Sequence, residues 1–291
     1  MTEFSPAKVN LFLAVTGRRP DGYHDLLSVA APLRWGDELA AEPADADTLA
    51  CDDPAVPTDA ANLVLRAAAA FRAAGGGAPA LRFALRKRIP MSAGLGGGSS
   101  NAVAALRLLQ RRAAAPMAPG ARAGLAAGRG ADSPRFLAPG PVGMRGRGER
   151  LEALPAEAEG RLRGRRILLF KPGFGISTAW AYARLSARPE GLPLAAEAEA
   201  RLRAWIDARG APAEELLFNQ FELPAFDKFP ALPALLERLR GDFGLAPRLS
   251  GSGSACFALL PAAGGPDGAD LSAAIRKAWG ASAFVAETAL A

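Results

Sequence analysis

Hydrophobic and polar positions alternate from residue 7 to residue 15. Ala7, Val9, Leu11 and Leu13 fall on one side of an extended chain, and Lys8, Asn10 and Phe12 on the other. The pattern predicts a strand with Lys8 and Asn10 on a shared face. The run GRRPDGYHDL that follows is dense in turn formers and reads as a loop. Residues 27–33 read as a second strand and 38–42 as a short third. Residues 62–74 have helical spacing and stop at Gly75, Gly76 and Gly77. Residues 81–87 alternate again, with Leu81, Phe83 and Leu85 on one face. A glycine-rich loop comes next, then a helix from about residue 99 to residue 112.

Beyond residue 113 the pattern weakens. Residues 113–129 are rich in glycine and proline, and each interior glycine costs a helix about 1 kcal/mol relative to alanine. Residues 145–166 mix charge, proline and glycine between short apolar runs. A domain boundary is expected there, dividing the chain into residues 1–150 and 151–291. Residues 166–170 and 255–260 read as strands, 232–240 as a helix, 275–278 as the continuation of a helix, and 283–286 as a last strand. Residues 248–249 lead into a glycine–serine loop. Strands and helices mix without a strict βαβ rhythm, which favours an α+β fold over a doubly wound parallel sheet.

Composition narrows the partners. The chain has 291 residues, half of them hydrophobic, which suits a globular protein with a substantial core. Its net charge is +6, from 35 basic and 29 acidic residues. Alanine, arginine, glycine and proline are abundant throughout, so arginine is weak evidence for a nucleic-acid partner. The excess charge reads first as a solvated basic surface and second as attraction for an anionic substrate. No basic stripe interleaved with aromatics is visible, so no nucleic acid is expected. Cys51 and Cys256 lie far apart and His24 is the sole histidine, which argues against a His/Cys zinc site. The cysteines read as reduced thiols. No basic segment precedes the first apolar run, and no run reaches 18 apolar residues. A cytoplasmic protein without membrane association is expected.

The candidate chemistry begins at PMSAGLGGGSS, comprising Pro90, Met91, Ser92, Ala93, Gly94, Leu95, Gly96, Gly97, Gly98, Ser99 and Ser100. A glycine loop lets backbone N–H groups converge without Cβ obstruction. A helix that starts just behind it adds free N–H donors and the positive end of its dipole. The two serines add hydroxyls that could also help to hold a metal ion. Together these residues make a cradle for a polyphosphate. The loop is neither a P-loop, since no lysine follows Gly98, nor a Rossmann fingerprint, since Ser99 stands where the last glycine should be. Positive charge must therefore come from elsewhere in the fold.

The loop resembles the ATP-binding motif of the GHMP kinases, the superfamily of galactokinase and of homoserine, mevalonate and phosphomevalonate kinases. SPAKVNLFL at residues 5–13 and SGSGSACFAL at residues 250–259 are similar to that superfamily's N- and C-terminal motifs. PAKVNLFLAVTGRRPDGYHDL at residues 6–26, KPGFGIST at 171–178 and FNQFE at 218–222 narrow the resemblance. They point to the family of kinases acting on 4-diphosphocytidyl-2-C-methyl-D-erythritol. The resemblance implies transfer of the γ-phosphoryl group of ATP to the 2-hydroxyl of that substrate, a step towards isoprenoid precursors outside the mevalonate route. It also implies two α+β domains with the active site in the cleft between them. A monomer or weak homodimer is expected, on no motif of its own. Mg2+ is implied by ATP chemistry, with ligands unknown.

The resemblance also assigns roles. Asp132, in GADSPRF, resembles the family's catalytic aspartate, placed to take or orient the substrate's hydroxyl proton. Lys8 resembles the catalytic lysine, whose charge would favour ionised Asp132. Tyr23 and His24 are candidate readers of the cytosine ring, through stacking and edge hydrogen bonds. Tyr182 aligns with a base-stacking aromatic, with Trp180 as a rival. Asn10, Thr178, Ser250, Gly251, Ser252 and Gly253 complete the expected substrate contacts. GADSPRF departs from the usual pattern at Arg135, where packed chain is expected to hold an apolar residue. Two alternatives remain at this point: another small-molecule kinase of the superfamily, and a non-catalytic nucleotide-binding protein of the same fold.

Overall fold

The computed structural model describes residues 1–114, 117, 124–125, 133–188, 192 and 195–291. In chain order its strands are β1 (Thr2–Arg18), β2 (His24–Pro43), β3 (Thr48–Cys51), β4 (Leu81–Arg86), β5 (Val142–Gly146), β6 (Arg150–Ala153), β7 (Arg166–Lys171), β8 (Phe218–Asn219), β9 (Arg248–Leu249), β10 (Cys256–Leu259) and β11 (Phe284–Ala289). The helices are α1 (Leu63–Ala73), α2 (Gly97–Arg112), α3 (Ala156–Leu162), α4 (Thr178–Ser186), α5 (Ala195–Asp207), α6 (Ala213–Leu216), α7 (Glu222–Lys228), α8 (Ala231–Phe243) and α9 (Gly268–Trp279). Two compact units emerge. One comprises residues 1–8, 35–91 and 96–139, and the other residues 9–34, 92–95 and 140–291. Strands β1 and β2 contribute to both.

In the first unit β4 runs between β3 and the second half of β2. It is parallel to β3 and antiparallel to β2, with Leu39 opposite Leu85 and Ala41 opposite Phe83. The alternation of β4 puts Leu81, Phe83 and Leu85 inward against α1 and α2. Helix α1 starts where the Asn62 side chain accepts the Val64 N–H at 2.9 Å. Phe71 of α1 and Val103, Leu106 and Leu109 of α2 close the same core. Full burial of side chains of this size stabilises by roughly 1.5–3 kcal/mol each.

In the second unit β7 is apolar and buried on both faces at Ile167, Leu168, Leu169 and Phe170. It lies between β11 and β10, with β9 at the far edge, in an antiparallel sheet. Phe170 meets Trp279 of α9 with ring centroids 5.6 Å apart. The first half of β2 pairs with β5, and β5 with β6. The second half of β1 pairs in parallel with β8 at Phe12 and Phe218.

Two expectations need correction. Residues 27–33 and 38–42 belong to one strand, because Asp37 is buried and bonded rather than part of a turn. Helix α2 starts at Gly97, not near residue 99, because the left-handed residue that sets its start is Gly96. Among the described residues no helix is long and apolar enough to cross a membrane.

Candidate active site

The glycine loop is built by conformations that only its sequence permits. Gly94 and Gly96 have φ of +75° and +72°. A Cβ on Gly94 would run into the Ser250 carbonyl. A Cβ on Gly96 would stand 2.8 Å from Phe136 Cζ and 3.0 Å from Lys8 Cγ. Gly96 is the N-cap of α2, and no side chain caps this end. The first N–H groups of the helix are therefore the uncapped donors expected of an anion site. Lys8 is buried and its aliphatic stem passes beside Gly96, which brings a cationic side chain to the helix start. Ser100 is buried and its Oγ accepts a hydrogen bond from Ser5 Oγ at 2.8 Å; Ser99 is half-buried. Pro90 is half-buried and Met91 exposed.

In the second unit, residues 92–95 meet the Ser250–Gly253 turn directly. Ser250 Oγ donates to the Gly94 carbonyl at 3.1 Å, and the Ala255 N–H donates to the Ala93 carbonyl at 3.0 Å. The turn itself closes by the Gly253 N–H donating to the Ser250 carbonyl at 2.9 Å. A third segment joins them. Ser252 Oγ and Thr178 Oγ1 are 2.9 Å apart, and Ser254 Oγ donates to the Phe174 carbonyl at 2.5 Å. Lys171 holds that segment from behind, donating to the carbonyls of Pro172 and Phe174 at 3.0 and 2.9 Å. Burial lowers its ammonium below the ordinary lysine range. Thus three motifs remote in sequence converge, while Leu95 is buried as their apolar anchor.

The FNQFE segment braces the turn. Asn219 Nδ2 donates to the carbonyls of Leu249 and Gly251 at 2.7 and 2.8 Å, and its Oδ1 accepts the Phe221 N–H at 3.0 Å. Gln220 Oε1 accepts the Val15 N–H at 2.6 Å, and Glu222 Oε1 the Leu249 N–H at 2.9 Å.

His24 stacks on Tyr182, with centroids 4.9 Å apart and planes at 27°. Its Nε2 lies 2.6 Å from Ser186 Oγ, one helical turn beyond Tyr182 on α4. Burial, with a smaller contribution from the Arg18 charge, lowers the imidazole below its ordinary value, so the ring is neutral at pH 7. Phe221 meets Tyr182 edge-on at 4.8 Å. Trp180 packs instead against Phe229, under the Lys228 ammonium. Tyr23 is 59% exposed, with the Arg147 guanidinium 4.9 Å from its ring centroid. Asn10 is buried and its amide donates to Ser28 Oγ at 2.9 Å.

Asp132 lies outside the described residues. Just beyond it, Ser133 is buried and residues 134–137 form a 3-10 turn. Arg135 is fully buried in that turn, and its Nη1 donates to the Ala138 carbonyl at 3.1 Å. Sequence reasoning assigned no role to Lys171, Ser186, Asn219 or Asp37. Lys171 and Asn219 lie inside the KPGFGIST and FNQFE motifs, whereas Ser186 and Asp37 are marked only as polar residues beside apolar runs.

A glycine loop without a P-loop lysine, entering an uncapped helix, has the geometry of a phosphate cradle. The family model for the GHMP kinases N terminal domain matches residues 62–137, and that for the GHMP kinases C terminal domain matches residues 203–283. The 4-diphosphocytidyl-2-C-methyl-D-erythritol kinase of Prosthecochloris aestuarii is 39% identical over 256 residues, 87% of each chain. A crystal structure of 4-(cytidine 5'-diphospho)-2C-methyl-D-erythritol kinase superposes with a TM-score of 0.77, at 37% identity and full coverage of both chains. The mevalonate kinase of Methanococcus jannaschii shares the fold, with a TM-score of 0.73 at 13% identity, covering 100% of this chain and 98% of the other. The chain belongs to the 4-diphosphocytidyl-2-C-methyl-D-erythritol kinase family of GHMP kinases.

Proposed function

We propose that this chain transfers the γ-phosphoryl group of ATP to the 2-hydroxyl of 4-diphosphocytidyl-2-C-methyl-D-erythritol, a step towards isoprenoid precursors outside the mevalonate route. The observation that carries the reading is the uncapped start of α2 at Gly96, reached through a loop bonded to the Ser250–Gly253 turn. It occurs in a chain 39% identical to a kinase of that name over 87% of its length.

Phosphoryl transfer needs in-line positioning, neutralised phosphate charge and a group to receive the hydroxyl proton. Residues 90–100 hold the triphosphate with backbone N–H groups and the α2 dipole. Lys8 supplies positive charge beside Gly96, which supports its role. Asp132 accepts or orients the proton of the attacking hydroxyl. The cytosine ring is read by His24 and Tyr182, whose existing stack supports a flat ligand there, and by Tyr23. Asn10, Thr178 and the Ser250–Gly253 turn hold the rest of the substrate.

ATP chemistry implies Mg2+, and hard oxygen donors suit it. The Ser99 and Ser100 hydroxyls are the donors the loop offers, and Ser100 Oγ already accepts a hydrogen bond from Ser5 Oγ. Among the described residues no cluster of three or more His, Cys, Asp or Glu side chains could hold a metal. Magnesium is commonly held by one or two carboxylates together with substrate phosphates, so the reading requires no such cluster. When bound it would neutralise phosphate charge. The reading keeps a domain boundary near residue 150, within the stretch between family matches that end at 137 and resume at 203. A cytoplasmic monomer or weak homodimer, acting on the small cytidine diphosphate compound, completes the reading.

The test is an ADP-release assay with that substrate on the wild type and Asp132→Ala. The expected result is turnover in the wild type, about 10²–10⁴-fold slower in the variant. Cytidine nucleotides should compete with the substrate. A folded wild type without turnover on it would sink the reading.

A further inference from the structure

A buried polar cluster adjoins the phosphate loop, and none of the roles above uses it. Asp37, on β2, is fully buried. Its Oδ1 accepts the backbone N–H groups of Arg88 and Ile89 at 2.7 and 2.8 Å. Its Oδ2 accepts Lys87 Nζ at 2.7 Å and Asn101 Nδ2 at 2.9 Å. Asn101 Nδ2 also donates to Ser5 Oγ at 2.8 Å, and Ser5 Oγ donates to Ser100 Oγ at 2.8 Å. Lys87 Nζ donates in addition to the Ile89 carbonyl at 2.7 Å. That ammonium lies 3.1 Å from where a Cβ on Gly97 would stand, against the first residue of α2.

The positions of these partners along the chain carry the inference. Arg88 and Ile89 immediately precede the loop of residues 90–100, and Asn101 immediately follows it. One carboxylate therefore grips both ends of the loop. A carboxylate without partners is expensive to bury, and even a paired one adds little stability over an apolar cluster of the same volume. What the arrangement supplies is geometry. Holding both ends fixes their separation and the aim of the first turn of α2, so less ordering is left for the ligand to drive.

We propose that Asp37 is a positioning residue for ATP binding: its buried carboxylate clamps the entry and exit of the phosphate loop and holds it ready for the triphosphate. The proposal rests on the ATP reading of residues 90–100.

The test measures ADP binding, both KM values and the melting temperature for the wild type and Asp37→Asn, which keeps the shape and loses the charge. The expected result is an ATP KM and an ADP Kd raised about tenfold or more, with the KM for the cytidyl substrate within about twofold of wild type. A merely structural residue would move both KM values together. Equal rises, or an unchanged ATP KM in a folded Asp37→Asn protein, would overturn the proposal. If Asp37→Asn does not fold, Asn101→Ala decides, because it cuts the exit side of the clamp and leaves the Lys87 pair. A selective rise in ATP KM there supports the clamp, and no selective rise overturns it. A wild type that binds no ADP removes the ATP reading and the clamp together. A wild type and Asp37→Asn that bind ADP equally remove the clamp alone.

Discussion

Gly96 sits at φ +72°, with Phe136 and Lys8 filling the space where a side chain would begin. An L-residue pays about 1–2 kcal/mol for the left-handed conformation before any clash is counted. Gly96→Ala should therefore lower the urea midpoint and also displace the Lys8 stem from the start of α2. A raised ATP KM together with reduced stability is the expected outcome, read by denaturation and steady-state kinetics. Wild-type values for both would mean that the loop does not depend on this backbone. The glycine pattern was legible in the sequence because it is local. The surroundings of Lys8 were not. Alternation separates the two faces of a strand but does not say that a second layer covers both, and Lys8 is only 2% exposed. Arg135 shows the reverse case: the sequence marked it as an arginine in packed chain, and it is fully buried, bonded within its own turn.

At the scale of elements, the FNQFE strand-to-helix junction acts through Asn219. One amide holds two carbonyls on either side of Ser250 and receives the Phe221 N–H. Asn219→Ala leaves these buried groups without partners, at about 1–3 kcal/mol for each group not rescued by water. The expected outcome is a lower melting temperature and a fall in kcat/KM, because the turn bonded to Gly94 loses its brace. Full activity at wild-type stability would exclude that dependence. Elements with strong periodicity were readable in advance: β1, α1, β4, β7 and α8 all lie where the pattern puts them. The short strands β3, β5 and β6 were not, since four or five residues carry too little period to stand out. Helices α4 and α5 were hidden by alanine and arginine, which are spread through the whole chain and so mark no face. Of the candidate site, the sequence gives the motifs but not their meeting. The bonds from Ala93 and Gly94 to residues 250–255 depend on tertiary structure alone.

For the molecule as a whole, acid–base behaviour follows from a few buried groups. Burial raises the Glu222 carboxyl above the ordinary glutamate value, and the Leu249 N–H and the Arg248 and Arg240 charges pull it only partly back. An acid raised on folding favours the folded state while protonated. Its contribution is complete below the ordinary glutamate range and is lost as pH rises through the raised value. Glu222→Gln cannot ionise and can still accept the Leu249 N–H. It should be at least as stable as the wild type at pH 7, with its relative advantage shrinking towards pH 4. Melting curves across that range check the sign, and a variant less stable at pH 7 than at pH 4, relative to wild type, would refute it. The α+β class was readable from the absence of a βαβ rhythm. The route of β1 and β2 through both compact units was not, because it rests on pairings between distant segments.

One of those pairings has a consequence for how the protein is made. The Val15 N–H waits for Gln220, 205 residues later, and Phe12 waits for Phe218. At about 5–20 residues per second, the second half of β1 leaves the ribosome roughly 10–40 s before β8 exists to receive it. During that interval β2 can already pair one edge of the strand, but the other edge, apolar from Leu11 to Val15, has its partner still unsynthesised. The nascent chain is then open to the wrong edge, and slowing translation between residues 20 and 218 should raise its demand for chaperones without changing a single contact of the finished fold.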